Sequence, residues 1–462
     1  MLQLERGRDR SVRGLRHRLA RGAASAFVIN GVGVGIAFAA QLIAARLLGV
    51  DSYGVFSFVL AWALLLTAAA TLGFETGLVR FAAPYHDQCD LGRLRGVIRF
   101  AEARVIVAGL VCAGLAMLVV VLDVGPSISD ELRWTFLLAL PAVPLWALMR
   151  VRLSAVRAFG QVARALIPDK IAREATFISV LVLVAIMRPD LMTGPAAGAA
   201  LTLGAGVSLL LITFWGRQAA PDGLATTAPL SEDRALWART AWPLWLLTLS
   251  QLAMRRIDVL VLGMLIGTQA SGIYFACFVT AQVIVFPLVA VNFLFTPTIA
   301  ALHAAGDHAA LQRAVTSTSW WTTTTAILAG VPILLLAPDL LALFGTGFME
   351  HADVLRVLVL GQLVNAAAGS IVPLLSMTGG ERDAMSISLI AFAGRLSLLL
   401  LLIPAFGILG AAIVETVFRI GWNFAMGVAI WRRVRILPSI LSSFCSNREL
   451  FSARTGRKEV RS

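Results

Sequence analysis

Ionisable side chains interrupt long apolar stretches of this sequence, and these are the residues that could do chemistry. The cations are Arg46, Arg255, Arg256, Arg395 and Arg419, and the anions are Glu75, Asp258 and Glu415. Charges at membrane depth are costly, and they usually serve a function. The arginines outnumber the carboxylates, so they cannot all be neutralised by internal pairing. Guanidinium groups stay charged when partly desolvated and bind phosphate oxygens through two hydrogen bonds. The set therefore predicts a cationic cavity that holds an anionic headgroup.

Helical spacing arranges several of these residues into two polar stripes. Gln251, Arg255 and Asp258 follow the pattern i, i+4, i+7, whereas Glu415, Arg419 and Asn423 follow i, i+4, i+8. Residues with this spacing lie on one face of a helix. Each stripe therefore predicts a helix face that lines a polar surface, with Gln251 and Asn423 as the uncharged part of the lining.

Local ion pairs are the alternative interpretation of both stripes. Arg255 would pair with Asp258, and Glu415 would pair with Arg419, so that each charge offsets the cost of its neighbour. Arg256 would still be left over from the first stripe. The residues alone do not decide between structural pairs and a substrate site.

The remaining charges call for separate interpretations. Arg46 lies near enough to a helix end to reach the membrane interface with its guanidinium. Arg395 has no acidic neighbour at helical spacing, which favours a role in binding. Asp258, together with Glu415 and Glu75, is the candidate for ion coupling or pairing, because a carboxylate in a low-dielectric site has a raised tendency to take up a proton.

The composition places these charges in a membrane protein. Of the 462 residues, 58% are hydrophobic and 14% charged, against about 25% charged in average soluble proteins. The net charge of +13 does not indicate a nucleic-acid partner, because a basic soluble domain carries its charge on a solvated face beside a modest core. The four cysteines lack metal-ligand or paired spacing, and no hydrolase, zinc-protease or nucleotide-binding motif occurs. We therefore expect no catalytic residue, no metal and no cofactor.

Twelve apolar runs of about 20 residues can each cross the ~30 Å hydrocarbon core as a helix. They cover residues 23–48, 55–74, 104–122, 132–149, 172–187, 195–215, 238–266, 273–300, 317–336, 354–375, 384–404 and 408–431. The first run is too long for the core of a signal peptide, so we expect it to be retained. With the N-terminus assigned to the cytoplasm, only Arg133, Arg188 and Arg356 fall in loops on the far side. The positive-inside rule therefore predicts that both termini are cytoplasmic.

A repeated glycine pair divides the predicted helices into halves. Gly49-x-x-x-x-Gly54 joins the first two helices, and Gly267-x-x-x-x-Gly272 joins the seventh and eighth. Residues 216–237 are rich in Pro, Ala, Gly and Thr and lack apolar periodicity, which predicts a cytoplasmic linker. Six helices per half put both halves in the same orientation, and transporters built in this way bind their substrate at the interface between halves.

The predicted fold class is an all-α polytopic membrane protein with 12 transmembrane helices in two six-helix lobes, related by a pseudo-twofold along the membrane normal. Its parts are a basic cytoplasmic arm (1–22), the N-terminal lobe (23–215), the linker (216–237), the C-terminal lobe (238–431) and a basic cytoplasmic tail (432–462).

Two stretches carry a resemblance to a known family. Residues 44–83, AARLLGVDSYGVFSFVLAWALLLTAAATLGFETGLVRFAA, strongly resemble the start of the polysaccharide transporter family. These proteins are the O-antigen and exopolysaccharide repeat-unit flippases of the multidrug/oligosaccharidyl-lipid/polysaccharide exporter superfamily. Residues 255–278, RRIDVLVLGMLIGTQASGIYFACF, are similar to the segment that joins helices 7 and 8 in that family. The resemblance implies a V-shaped pair of lobes, alternating access and a cationic central cavity. In this chain the cavity arginines would be Arg255, Arg256, Arg395 and Arg419.

The function that the resemblance implies is lipid flipping without chemistry. The substrate would be an undecaprenyl-pyrophosphate-linked oligosaccharide, moved from the inner to the outer leaflet of the bacterial cytoplasmic (inner) membrane. The expected partners are this lipid-linked oligosaccharide, membrane lipids, a coupling H+ or Na+, and polymerase or chain-length proteins of polysaccharide assembly.

Two alternatives stay open. A cation-coupled multidrug antiporter of the same superfamily would need an acidic cavity, whereas positive charges are in excess here. A polymerase, a ligase or a scaffold of polysaccharide assembly is the second alternative. Polymerases and ligases carry a large outer loop for their chemistry, and the outer connections of this sequence are short.

Overall fold

The computed structural model describes residues 2–123, 129–228, 230, 233–378 and 381–436, which are almost entirely helical and contain no β-strand. The helices cluster into two compact units, Met1–Leu260 and Val261–Ser462.

The division between the units falls after Leu260, inside a helix that covers Arg234–Leu265. Residues 229, 231 and 232 of the predicted linker at 216–237 lie outside the described residues, as do residues 437–462 of the predicted tail. The predicted arm continues as helix into the first apolar run.

Unit 1 is built from nine helices over its described residues. They are α1 (Leu2–Ala70), α2 (Phe74–Asp87), α3 (Leu91–Val121), α4 (Asp130–Ala139), α5 (Ala142–Ala158), α6 (Val162–Ile167), α7 (Arg173–Met187), α8 (Gly194–Ala219) and α9 (Arg234–Leu265), the last of which runs across the division. A π-helical turn, Pro168–Ala172, connects α6 to α7. The core surrounds α5, which packs against α1, α2, α3 and α8.

Unit 2 contains seven further helices in the part of the chain that the structure describes. They are α10 (Thr268–Gln282), α11 (Phe286–Ala304), α12 (His308–Leu335), α13 (Ala337–Ala342), α14 (Ala352–Ala368), α15 (Ile371–Met377) and α16 (Glu381–Val434). Its central helix is α14, which packs against α10, α12 and α16.

Apolar residues at helical spacing explain why α5 and α14 are central. Trp146, Met149 and Leu153 are buried along one side of α5, at i, i+3, i+7. Leu355 and Leu358 are buried with the same spacing on α14. Between membrane helices such side chains stabilise the packing through van der Waals contacts, because lipid tails are as apolar as these side chains.

The prediction of a polytopic membrane protein is confirmed. Among the described residues, seven helical stretches are long and apolar enough to cross a membrane. They are Ser25–Ala70, Leu91–Val121, Asp130–Ala158, Gly194–Ala219, Thr268–Val289, Thr346–Leu375 and Met385–Val434. The first and last stretches each contain most of two predicted runs. The runs at 172–187, 238–266 and 317–336 lie on α7, α9 and α12, with 172 in the preceding π-helical turn and 266 and 336 just past the helix ends.

The first glycine of the repeated motif has a similar conformation in both halves of the sequence, with positive φ and extended ψ. Gly49 interrupts α1 with φ 73° and ψ 177°, and Gly267 precedes α10 with φ 121° and ψ 164°. Positive φ combined with extended ψ is essentially restricted to glycine. The motif therefore marks equivalent breaks between consecutive helices, which supports an internal repeat.

Candidate functional site

Three charged residues of unit 2 form a single buried cluster on α16. Glu415 accepts a hydrogen bond from Arg419 Nε at 3.0 Å and forms an ion pair with Arg395. Glu415 is 1% exposed and Arg395 4% exposed. The Arg395 guanidinium also lies over the Phe418 ring, 4.8 Å from its centroid. Two arginines and one carboxylate leave this cluster with one positive charge.

The local pair between Glu415 and Arg419, one of the two interpretations of the sequence, is therefore formed. Arg395 reaches the same carboxylate because α16 is broken at Gly407 (φ 58°, ψ −137°), which separates the two predicted membrane segments. Helical spacing could not reveal this pairing, since the partner of Arg395 lies on the other side of the break.

A polar seam continues from this cluster along the packing of α14 against α16. Asn423 donates to Asn365 Oδ1 at 3.2 Å, and Thr416 donates to the Val357 carbonyl at 2.9 Å. Gln362 is buried, and neither of its polar side-chain atoms has a hydrogen-bond partner among the described residues. Gln362 lies at position i+7 from Leu355, so it is a polar residue on the otherwise apolar buried face of α14. The sequence analysis identified Asn423 but not Asn365 or Gln362.

The first polar stripe lies on α9. Gln251 and Arg255 are exposed, Arg256 is partly buried, and Asp258 is 1% exposed. The spacing predicted one polar face, but the environment changes along the helix axis, because the residues from 258 to 262 are all buried. The exposed part of the stripe therefore consists of Gln251 and Arg255.

Arg256 belongs to a group of polar residues from three helices of unit 1. Its electrostatic neighbours are Arg255 on α9, Tyr53 on α1 and Arg173 on α7. Tyr53 is fully buried, and its hydroxyl donates to Gln41 Oε1 at 3.3 Å. Neither Tyr53 nor Arg173 was a predicted site residue, although Tyr53 lies inside the repeated glycine motif.

Arg173 is itself fixed by acidic and aromatic neighbours. It donates to Glu174 Oε1 at 2.5 Å and to Asp169 Oδ1 at 3.2 Å, and its guanidinium lies 5.0 Å from the Trp146 ring centroid. Burial alone would raise the pKa of Asp169, but Arg173 and the nearby Lys170 hold that pKa below its ordinary value. The segment that joins α6 to α7 is thereby held by charged contacts.

The two remaining predicted residues are Glu75 and Arg46. Glu75 accepts hydrogen bonds from Arg150 at 3.0 Å through both carboxylate oxygens, and its carbonyl accepts from Ser154 at 2.5 Å. These contacts join α2 to α5. Arg46 is exposed. Within the described residues, no group of His, Cys, Asp and Glu has the arrangement of a metal site.

Comparison with solved structures identifies the fold as that of membrane transporters. The chain resembles an inward-facing multidrug resistance MATE family transporter with a TM-score of 0.72 and 13% identity, over 89% of this chain and 98% of the other. It resembles the lipid II flippase MurJ in an inward closed conformation with a TM-score of 0.68 and 12% identity, over 87% and 86%. It also resembles a MOP superfamily transporter from Pyrococcus furiosus, whose binding pocket has reverse polarity. The TM-score is 0.62 and the identity 14%, over 90% of this chain and 95% of the other.

Comparison of sequences gives the family. No curated protein matches the chain, but the profile of the polysaccharide biosynthesis protein family matches residues 19–303. This range contains the two stretches that carry the resemblance, 44–83 and 255–278, and it covers more than half of the 462 residues. The chain therefore belongs to the polysaccharide biosynthesis protein family and has a transporter fold shared by MATE proteins and MurJ.

Proposed function

We propose that this protein is a flippase for a polysaccharide repeat unit. Its substrate is an undecaprenyl-pyrophosphate-linked oligosaccharide, which moves from the inner to the outer leaflet of a bacterial inner membrane by alternating access. The family match over residues 19–303 carries the proposal, because it connects a transporter fold with polysaccharide biosynthesis. No bond is made or broken during this transport, so the proposed protein is a transporter and not an enzyme. The proposed orientation places both termini in the cytoplasm.

Arg255 is the first candidate for contact with the pyrophosphate. It is exposed on α9 and lies beside Arg256, so two positive charges are close together. Arg395 and Arg419 share Glu415. Their cluster has a net positive charge, and we propose that it attracts the anionic substrate without direct contact. Arg46, which is also exposed, completes the set of candidate arginines.

Asp258 is the proposed residue for coupling to H+ or Na+. The carboxylates of Glu75 and Glu415 both accept hydrogen bonds from arginines, and Asp258 is a third carboxylate, 1% exposed on α9 and three residues from Arg255. A site whose carboxylate changes partner during transport could use the energy of an ion gradient.

A multidrug antiporter is the second candidate function, because the fold is that of MATE proteins. The charges of the candidate residues oppose it. A cationic drug needs carboxylates at its binding site, whereas the exposed part of the α9 stripe carries Arg255 and no acid. The flippase proposal accounts for both the family and the charge.

Replacing Arg255 tests the proposal directly. In a host whose own copy is deleted, we expect Arg255→Gln to lower surface polysaccharide at least about tenfold, since a hydrogen bond to a charged group is worth ~1.5–3 kcal/mol. Lipid-linked repeat units should accumulate inside. Arg239→Gln is the matched control, because Arg239 is exposed on the same helix. Full export by Arg255→Gln at a normal expression level would contradict the site, and normal export after deletion of the whole protein would contradict the function.

A further inference from the structure

A pocket lined by three arginines lies near the N-terminal end of α3, away from the candidate substrate residues. Its volume is about 410 Å³, and its lining includes Arg99, Phe100 and Arg104 of α3, Leu230, and Arg234 at the start of α9. All of these residues belong to unit 1. The function proposed above does not use them.

The walls of the pocket are fixed by specific contacts. The Leu230 amide donates to the Gly92 carbonyl at 3.0 Å, and the absence of a side chain at Gly96 allows the Leu230 backbone to lie against α3. Buried Trp237 packs on Phe100, with ring centroids 5.7 Å apart. The start of α9 is thus held against α3, which brings Arg234 to the same pocket as Arg99 and Arg104.

The lining of the pocket is positively charged. Within the described part of the chain, none of its three arginines forms an ion pair; Arg104 lies over the Phe100 ring, 5.2 Å from its centroid. Two described acidic residues close to this lining in the sequence pair with other arginines, Glu102 with Arg152 at 2.6 Å and Asp233 with Arg93 at 3.3 Å. Three guanidinium groups around one cavity form a site for a phosphate group.

An exposed apolar face of α3 begins directly after the pocket. Val107, Leu110, Val111, Leu115 and Leu118 are all exposed and follow Arg104 at helical spacing. A ligand that places a phosphate in the pocket can therefore lay a hydrocarbon chain along the same helix. A soluble anion would use the arginines but not this face.

We propose that the pocket binds the headgroup of an anionic phospholipid, with its acyl chains along the exposed face of α3. Basic pockets between membrane helices bind anionic headgroups in this way. Under the predicted topology the lipid belongs to the cytoplasmic leaflet. The proposal concerns a site distinct from Arg255 and Arg256, so it stands or falls independently of the transported substrate.

Native mass spectrometry of the full-length protein in a neutral detergent tests the proposal. The probes are phosphatidylglycerol and, for comparison, phosphatidylcholine with the same acyl chains. We expect phosphatidylglycerol to bind more tightly than phosphatidylcholine. The triple variant Arg99→Gln, Arg104→Gln, Arg234→Gln should weaken the affinity for phosphatidylglycerol about tenfold or more, because each arginine near an anionic lipid contributes roughly fivefold to the affinity. The corresponding triple lysine variant keeps the charge and should retain most of the binding.

A second triple variant controls for the loss of charge alone. Arg80, Arg217 and Arg313 are exposed, lie outside the pocket and have the same predicted membrane side; their change to Gln should leave binding within about twofold, since isolated surface charges contribute little. Equal weakening by both glutamine triples, or unchanged binding by the pocket triple, would overturn the site. If the pocket triple does not fold, the single variants Arg99→Gln and Arg234→Gln replace it, and each should weaken binding severalfold.

Two competitors distinguish the possible sources of the phosphate. Inorganic phosphate at millimolar concentration should not displace phosphatidylglycerol, because it cannot use the apolar face of α3. Complete displacement would make the pocket a soluble-anion site and overturn the lipid assignment. Undecaprenyl pyrophosphate that binds the pocket in preference to phosphatidylglycerol would also overturn it, and would instead make the pocket part of the path of the substrate.

Discussion

Glu415 is the residue on which the charge balance of unit 2 depends. Arg395 and Arg419 both pair with its carboxylate; Glu415 and Arg395 are buried, and Arg419 is partly buried. If either arginine is removed, a neutral pair remains. If the carboxylate is removed, two like charges are left together in a low-dielectric environment, which is far more costly.

The three residues should therefore respond unequally to substitution. We expect Glu415→Gln to destabilise the purified protein by about 3–5 kcal/mol, as when one partner of a buried pair is removed. Arg419→Gln should cost much less, because Arg395 still balances Glu415. Thermal unfolding in detergent measures the difference. Asp190→Asn, which breaks the exposed pair between Asp190 and Arg188, is the control and should have no measurable effect. Equal destabilisation by Glu415→Gln and Arg419→Gln would show that Glu415 does not hold both arginines.

At the residue scale, the sequence shows which charged residues lie in apolar segments, but it predicts few of their ion-pair partners. The pair between Glu415 and Arg419 follows from helical spacing, because both residues lie on one uninterrupted helix. The pairs of Arg395 with Glu415 and of Arg150 with Glu75 join separate segments. Such contacts depend on how helices pack, and no spacing rule along one helix contains that information.

At the element scale, the length of apolar runs predicts the helices because a membrane span must satisfy every backbone hydrogen bond within the helix. The glycine repeat also predicts where consecutive helices break, as Gly49 and Gly267 show. Breaks inside a single predicted span were missed. The run at 132–149 is interrupted near Pro141, and the run at 354–375 is interrupted at Gly369. A run that stays apolar across a break contains no change in hydropathy to mark it.

The break between α1 and α2 depends on a glycine for two reasons. Gly73 has φ 78°, and a Cβ atom there would collide with the Ala241 carbonyl and lie 2.7 Å from the Trp245 amide nitrogen of α9. Trp245 also donates to the Ala69 carbonyl at 2.9 Å. The turn and α9 are therefore in backbone contact, and a side chain would push them apart.

Gly73→Ala should consequently destabilise unit 1 beyond the cost of the backbone conformation. Left-handed backbone costs a non-glycine residue roughly 1–2 kcal/mol, and overpacking adds about 1–3 kcal/mol. Gly160→Ala isolates the first effect, because Gly160 has φ 77° and open space around it. We expect a clearly lower unfolding temperature in detergent for Gly73→Ala than for Gly160→Ala. Equal temperatures would mean that α9 does not pack against this turn.

At the scale of the whole molecule, the fold is easier to predict than the substrate. The solved relatives share the fold at 12–14% identity, so most positions need only be apolar and helical. The composition and the length of the apolar runs show which segments are apolar and helical, and they predicted the correct fold class. Transport specificity depends on a few polar side chains that the fold carries. The candidate arginines were identifiable as charges in apolar segments, but Tyr53, Arg173 and Gln362 became visible only once the helices were packed.

The orientation of the chain is the remaining whole-molecule prediction, and it follows from its arginines. A reporter enzyme that is active only outside the cytoplasm should be active when fused at Asp130 or Asp353 and inactive when fused at Gln218, because arginines concentrate on the predicted cytoplasmic side. Fluorescent-protein fusions at the same positions, which require the cytoplasm, should give the opposite pattern and exclude failed expression. Activity of the reporter enzyme at Gln218 together with fluorescence at Asp130 would reverse the topology. The pocket of Arg99, Arg104 and Arg234 would then face the outer leaflet, and the direction of the proposed lipid transport would have to be reconsidered.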